Sequence, residues 1–207
     1  MESNKTMDDL TAIRAIMEKS TRFLSLSGLS GIFSGIAAIA GTVAAICVQH
    51  GSASSAYLNT IDDASFRTTR NALAADAIIV LVLALTAAIY FSFRKARKKG
   101  LKVWTPVSKS LLINMLVPLL TGGLFILYLA GSHHFEFIIP SMLIFYGLAL
   151  VNVWKYTFNE IFYLGLFDIT SGLIALILPE YGLYLWGFGF GILHIAYGII
   201  MYRKYER

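Results

Sequence analysis

The chain has 207 residues, of which 57% are hydrophobic and only 14% are charged. A typical soluble domain carries about 25% charged residues, so the composition excludes an ordinary soluble protein. Most of the sequence lies in six long apolar stretches, and the longest segment between two of them, 49–71, has 23 residues. Such short connections exclude an appended soluble enzyme, nucleotide-binding or DNA-binding domain. We therefore do not take the net charge of +5 as a sign of a nucleic-acid partner.

Each apolar stretch is long enough to cross about 30 Å of hydrocarbon as an α-helix. We therefore predict an all-α integral membrane protein with a six-helix transmembrane domain over residues 23–207. A cytoplasmic amphipathic helix over residues 1–22 precedes it, because Leu10, Ile13 and Met17 share one helical face. The predicted membrane helices cover residues 23–48, 72–93, 110–130, 137–153, 161–178 and 181–202.

The positive charges predict the orientation. If the N-terminus lies inside, fifteen of the seventeen Lys and Arg residues are internal and only Arg67 and Arg70 are external. Because positively charged loops resist translocation, both termini are predicted to lie in the cytoplasm, and the protein in a bacterial inner (plasma) membrane. The basic segment from Arg94 to Lys109 is expected to contact anionic lipid headgroups, with Gly100 and Pro106 interrupting the helix there.

Small residues predict close helix contacts. The sequence GLSGIFSGIAAI from Gly28 is echoed by GLFDITSGLIAL from Gly165 and more weakly by TGGLFIL from Thr121, which favours three helical hairpins. The Gly31–Gly35 spacing suits contacts within the chain and contacts in a homo-oligomer equally well. The glycines predicted to pack helices together are Gly31, Gly35, Gly165, Gly172, Gly187, Gly191 and Gly198.

Ionisable residues inside a membrane are the first candidates for function. Asp168 and His194 lie near the middle of the fifth and sixth helices, within about one helical turn of the same depth. We expect both to point into the bundle as a polar pair. One interpretation is a structural clamp between the helices; the other is a proton-binding site for transport or pH sensing.

Near the inner turn between the fourth and fifth helices, Lys155 and Glu160 are predicted to form an ion pair. The aromatic residues after position 135 are typical of interfacial belts and lipid-facing bulk. The sequence contains no HExxH, GxSxG or phosphate-binding glycine loop, and its HHFE segment matches no zinc signature. We therefore predict no enzyme activity, no cofactor and no metal site.

The segment YLGLFDITSGLIALILPEYGLYLWGFGFGILHIAYGIIMY, from Tyr163 to Tyr202, combines a glycine-rich helix, a short proline turn and a second helix with spaced glycines. It resembles the C-terminal hairpin of the acid-resistance membrane proteins (HdeD-like family). The whole chain is also similar to uncharacterised small bacterial six-helix membrane proteins. The resemblance implies a six-helix inner-membrane protein with a role in acid stress.

Two functions follow from these features. The leading hypothesis is a non-enzymatic multi-pass membrane protein with a structural, stress-related or regulatory role. It would act through residues 1–22 and the basic segment from Arg94 to Lys109. Residues 1–22 would either lie on the membrane surface or bind a cytoplasmic protein partner. The alternative is a small transporter or proton-coupled permease that uses the Asp168/His194 pair.

Overall fold

A computed structural model describes residues 27–56, 63–100 and 103–206. These residues form helices and short connections without a strand, and six of the helical segments are long and apolar enough to cross a membrane. These helices confirm the predicted all-helical architecture with six segments able to cross a membrane. The amphipathic helix predicted over 1–22 lies outside the described residues.

The first three spans are single helices, each longer than the apolar stretch that predicted it. They are α1 (Gly28–Ala56), α2 (Asp63–Lys98) and α3 (Pro106–Gly131). The chain breaks after α2 at Gly100, whose φ of +61° is the left-handed conformation that favours glycine. Thr105 then caps α3 by accepting a hydrogen bond from the Ser108 backbone N–H, and Pro106 begins the helix. The predicted break at Gly100 and Pro106 is confirmed.

The last three spans are joined by short 3₁₀ turns. Helices α4 (Ile138–Val153) and α5 (Asn159–Ile177) match the predicted stretches closely. The sixth span differs from the continuous helix that we expected, because it consists of α6 (Gly182–Trp186), a π-helical segment (Gly187–Leu193) and α7 (His194–Tyr205). Its sequence GFGFGIL contains three glycines, whose flexible backbone adopts the wider π-helical turn more easily than other residues do.

The core of the bundle is formed by α1, α4, α5 and the sixth span. Helix α1 packs against the sixth span, and α4 packs against α5. The outer helices α2 and α3 pack mainly on α1 and α4, respectively, and have no substantial contact with each other in the described part of the chain. Most of their side chains therefore face outward and are exposed.

The glycines repeated in the sequence lie at the closest helix contacts. A Cβ atom on Gly35 would lie 2.6 Å from the Gly191 carbonyl oxygen, and one on Gly165 would lie 2.7 Å from the Gly147 carbonyl oxygen. All seven glycines predicted to pack helices face a neighbouring helix in this way. Gly31 and Gly35 thus face the sixth span of the same chain. In the third copy, a Cβ atom on Gly122 would lie 2.5 Å from Phe145 Cβ, whereas one on Gly123 would meet no described atom outside its own stretch of helix within 4 Å.

The end of the bundle that carries the α2–α3 connection and the end of α7 is called the basic face below. Here Glu206 receives a hydrogen bond from the Gly28 backbone N–H at 2.6 Å and pairs with Lys95 at 3.2 Å. A carboxylate at this position caps the N-terminus of α1 and interacts favourably with its dipole. Lys95 was expected to contact lipid headgroups, but it lies inside the bundle, 7% exposed.

Candidate functional site

Asp168 lies at the centre of the molecule. It is the tenth of the nineteen residues of α5, and its side chain is fully buried. The reason is the helical period, because the buried positions of α5 recur every three or four residues and Asp168 falls among them. They are Ile161, Leu164, Gly165, Asp168, Ser171, Gly172 and Ala175.

The Asp168 carboxyl group has no hydrogen-bond partner. Both Oδ1 and Oδ2 are buried, and no donor or cation within the described part of the chain reaches them. Most buried polar atoms in proteins are hydrogen-bonded, because an unpaired carboxylate in an apolar interior costs several kcal/mol or more. The neutral, protonated carboxyl is therefore the form that this environment accommodates.

The carboxyl group packs against the π-helical segment. A Cβ atom on Gly189 would lie 2.8 Å from Asp168 Oδ1 and 2.6 Å from Leu143 Cδ2. A side chain at position 189 would therefore displace the Asp168 carboxyl group and the end of the Leu143 side chain. Because π-helical turns occur frequently at functional sites, their coincidence with the unpaired carboxyl makes this the candidate site.

His194 begins α7, two residues beyond the middle of the sixth span, and is 7% exposed. Its Nδ1 lies 2.9 Å from the Gly189 carbonyl oxygen, and its Nε2 lies 2.8 Å from the Tyr146 hydroxyl. Because a carbonyl only accepts, Nδ1 carries the hydrogen. In the neutral ring Nε2 is then the acceptor, so that Tyr146 donates to it.

The predicted pair of Asp168 and His194 needs correction. Both residues point into the bundle, as expected, but they form no hydrogen bond with each other. The reason is that both ring nitrogens of His194 are already engaged, while the backbone of Gly189 lies against the carboxyl group. A structural clamp would require a direct bond between the two helices, and this bond is missing.

Sequence reasoning missed Tyr146, which we expected to be part of the lipid-facing aromatic bulk. In the structure it lies on the inner side of α4, with its ring 5.0 Å from Phe190 and 5.4 Å from His194. Trp186, also expected near lipid, is 7% exposed and packs with Ala38. A phenol in the middle of the apolar stretch 138–153, far from either interface, was the available signal.

The predicted ion pair between Lys155 and Glu160 is wrong. Glu160 Oε1 accepts from Lys204 Nζ at 2.6 Å, and the Tyr205 hydroxyl lies 3.2 Å from the same oxygen. Lys155 instead places its ammonium 5.1 Å from the Tyr156 ring centroid. The partners of Glu160 come from the end of α7, so this ion pair joins α5 to the sixth span at the basic face.

Among the described residues, no group of three His, Cys, Asp or Glu side chains lies close enough to hold a metal ion. Comparisons with protein-family models, curated proteins and solved structures find no match to this chain.

Proposed function

We propose that this protein conducts protons across a membrane and that Asp168 binds the proton within the bilayer. The observation that carries the proposal is the unpaired carboxyl group at the middle of α5. Intramembrane carboxyl groups face the bundle interior in many proton pathways, because they alternate between a neutral form that tolerates apolar surroundings and a charged form that does not.

The neighbouring groups suit this role. Tyr146 and His194 lie on two other helices and share a hydrogen bond, and His194 also donates to the carbonyl oxygen of Gly189, the residue that packs against the Asp168 carboxyl group. Tyrosine and histidine can each accept and release a proton through hydrogen bonds. The site thus combines a carboxyl group that changes charge with two groups that exchange protons.

The basic face supports an orientation for this pathway. We propose that it is the cytoplasmic side of a bacterial inner membrane, because fifteen of the seventeen Lys and Arg residues are internal in that arrangement. Proton movement also fits the acid-stress role that the HdeD-like resemblance implies. The regulatory hypothesis depends in part on residues 1–22, which lie outside the described part of the chain.

A flux measurement tests the proposal. The full-length protein is reconstituted into liposomes that contain a pH-sensitive dye, and a proton gradient is imposed across the membrane. The variant Asp168→Asn keeps the size of the side chain but cannot ionise, so we expect proton flux to fall to that of empty liposomes. The matched control is Glu180→Gln, which makes the same change at an exposed carboxylate far from the site.

The stability of both variants is measured in detergent, so that a loss of flux is separated from a loss of fold. A folded Asp168→Asn protein without flux supports the proposal. Wild-type flux in Asp168→Asn, or no flux above empty liposomes in the wild type, contradicts proton conduction through this site.

A further inference from the structure

Polar groups continue from the candidate site toward the basic face along the sixth span. His194, Tyr197 and Lys204 are spaced by three and seven positions, which places them on neighbouring parts of one side of α7. Tyr197 lies about 4.5 Å farther along the helix axis than His194, and Tyr205 lies about 12 Å beyond Tyr197. The helix therefore carries titratable side chains from mid-span to its end.

The Tyr197 hydroxyl is buried and has no hydrogen-bond partner in the described part of the chain. Its ring packs against the apolar cluster of Leu150, Val153, Ile161 and Leu164. Phenylalanine would make the same ring contacts without burying an unpaired hydroxyl, so the hydroxyl gives the fold no advantage. This second unpaired polar group lies on the same helix as His194.

The surroundings of Tyr197 contain titratable groups on both sides along the span. On the side of the candidate site, Tyr146 packs against the same apolar cluster as Tyr197, and on the side of the basic face this cluster includes Ile161, the residue next to Glu160. Along the sixth span, Tyr197 thus lies between His194 of the Tyr146–His194 pair and the residues that hydrogen-bond to Glu160.

The other end of this line is a polar cluster of Glu160, Lys204 and Tyr205. The Glu160 carboxylate accepts from Lys204 and Tyr205, and its side chain is 17% exposed. It is therefore in contact with the surroundings of the basic face as well as with the interior. A carboxylate in such a position can exchange protons with water.

We propose that Tyr197 is a proton relay between the Tyr146–His194 pair and the Glu160–Tyr205 cluster. This inference rests on the proposed function. In each transfer the Tyr197 oxygen accepts one proton and releases its own, so that one O–H bond forms, one breaks and no net charge stays on the ring. Because no group in the described part of the chain lies within hydrogen-bond distance of the hydroxyl, the relay requires bridging water molecules on either side.

The variant Tyr197→Phe tests the relay, because it removes only the hydroxyl. A positioned proton-transfer group commonly contributes about 10²–10⁴-fold to a rate, so we expect proton flux into liposomes to fall at least about 10²-fold. The stability in detergent should stay the same or rise, because an unpaired buried hydroxyl is removed. The matched control is Tyr163→Phe on the exposed side of α5, which should keep wild-type flux.

The outcomes separate the relay from the proposed function. If Asp168→Asn has no flux while Tyr197→Phe matches Tyr163→Phe, the relay is refuted and the proton site at Asp168 stands. If Tyr197→Phe loses both flux and stability, its role is structural and the relay is also refuted. If the wild type shows no flux above empty liposomes, both proposals fail. Loss of flux in stable Tyr197→Phe supports the relay.

Discussion

Helices α4 and α5 approach most closely at Gly165, so a single methyl group added there should disturb the core. In Gly165→Ala the new Cβ atom would lie 2.7 Å from the Gly147 carbonyl oxygen and 2.9 Å from Leu150 Cβ. Neither atom is the end of a flexible side chain, so the two helices must separate. A gap of about 0.5–1 Å removes a quarter to a half of the dispersion energy of the contacts concerned.

From this separation we expect Gly165→Ala to lower the free energy of unfolding by about 1–3 kcal/mol, the usual cost of overpacking a core. The control is Gly123→Ala on α3, where no atom of another residue lies within 4 Å of the added Cβ. Alanine is the better helix former, so this variant should be as stable as the wild type or more stable by about 0.5–1 kcal/mol.

The measurement is denaturant unfolding of the purified protein in detergent micelles, followed by circular dichroism. Helix association in membranes depends on close contact rather than on the hydrophobic effect, so micelles retain the relevant energy. Equal unfolding free energies for Gly165→Ala and Gly123→Ala would refute the claim that glycine is required for the α4–α5 contact.

Three further predictions concern the site, the basic face and the orientation. Tyr146→Phe removes the hydrogen bond to His194 Nε2 and should cost about 0.5–1.5 kcal/mol in the same unfolding assay; unchanged stability would argue against this bond. Glu206→Gln leaves the buried Lys95 without its carboxylate and should cost about 1–3 kcal/mol, whereas a neutral result would show that this ion pair is unimportant. A cysteine introduced as His134→Cys, with the native cysteine replaced by serine, should react with a membrane-impermeant thiol reagent in intact cells. Reaction only after permeabilisation would reverse the predicted orientation.

The spans could be predicted from the sequence because a helix that crosses the hydrocarbon core of a bilayer must be both long and apolar. The break between α2 and α3 was also readable, since Gly100 and Pro106 affect the backbone locally. The π-helical segment could not be predicted from the sequence. A hydropathy pattern records which residues are apolar, and it does not record how many residues each backbone hydrogen bond spans.

Which side chains contact each other depends on the rotation of each helix about its own axis, and the sequence does not specify this rotation. Asp168 and His194 were assigned to the interior correctly, but the partner of His194 is Tyr146, because α4 turns this phenol inward. Glu160 was assigned to its sequence neighbour Lys155, yet its partner is Lys204, 44 positions later. Proximity in the sequence favoured Lys155 as the partner. Lys204 is the actual partner because α7 ends at the same face of the bundle as Glu160.

The contact between Glu206 and the Gly28 backbone N–H has a consequence for biosynthesis. The two residues are 178 positions apart, so the N-terminus of α1 gains its carboxylate only after all six spans have been translated. At a synthesis rate of about 5–20 residues per second, this delay amounts to roughly 10–35 s. During that interval α1 lacks the sixth span, against which it packs, so the bundle can close only after the sixth span has been synthesised. Assembly of this face is therefore a late event in biosynthesis.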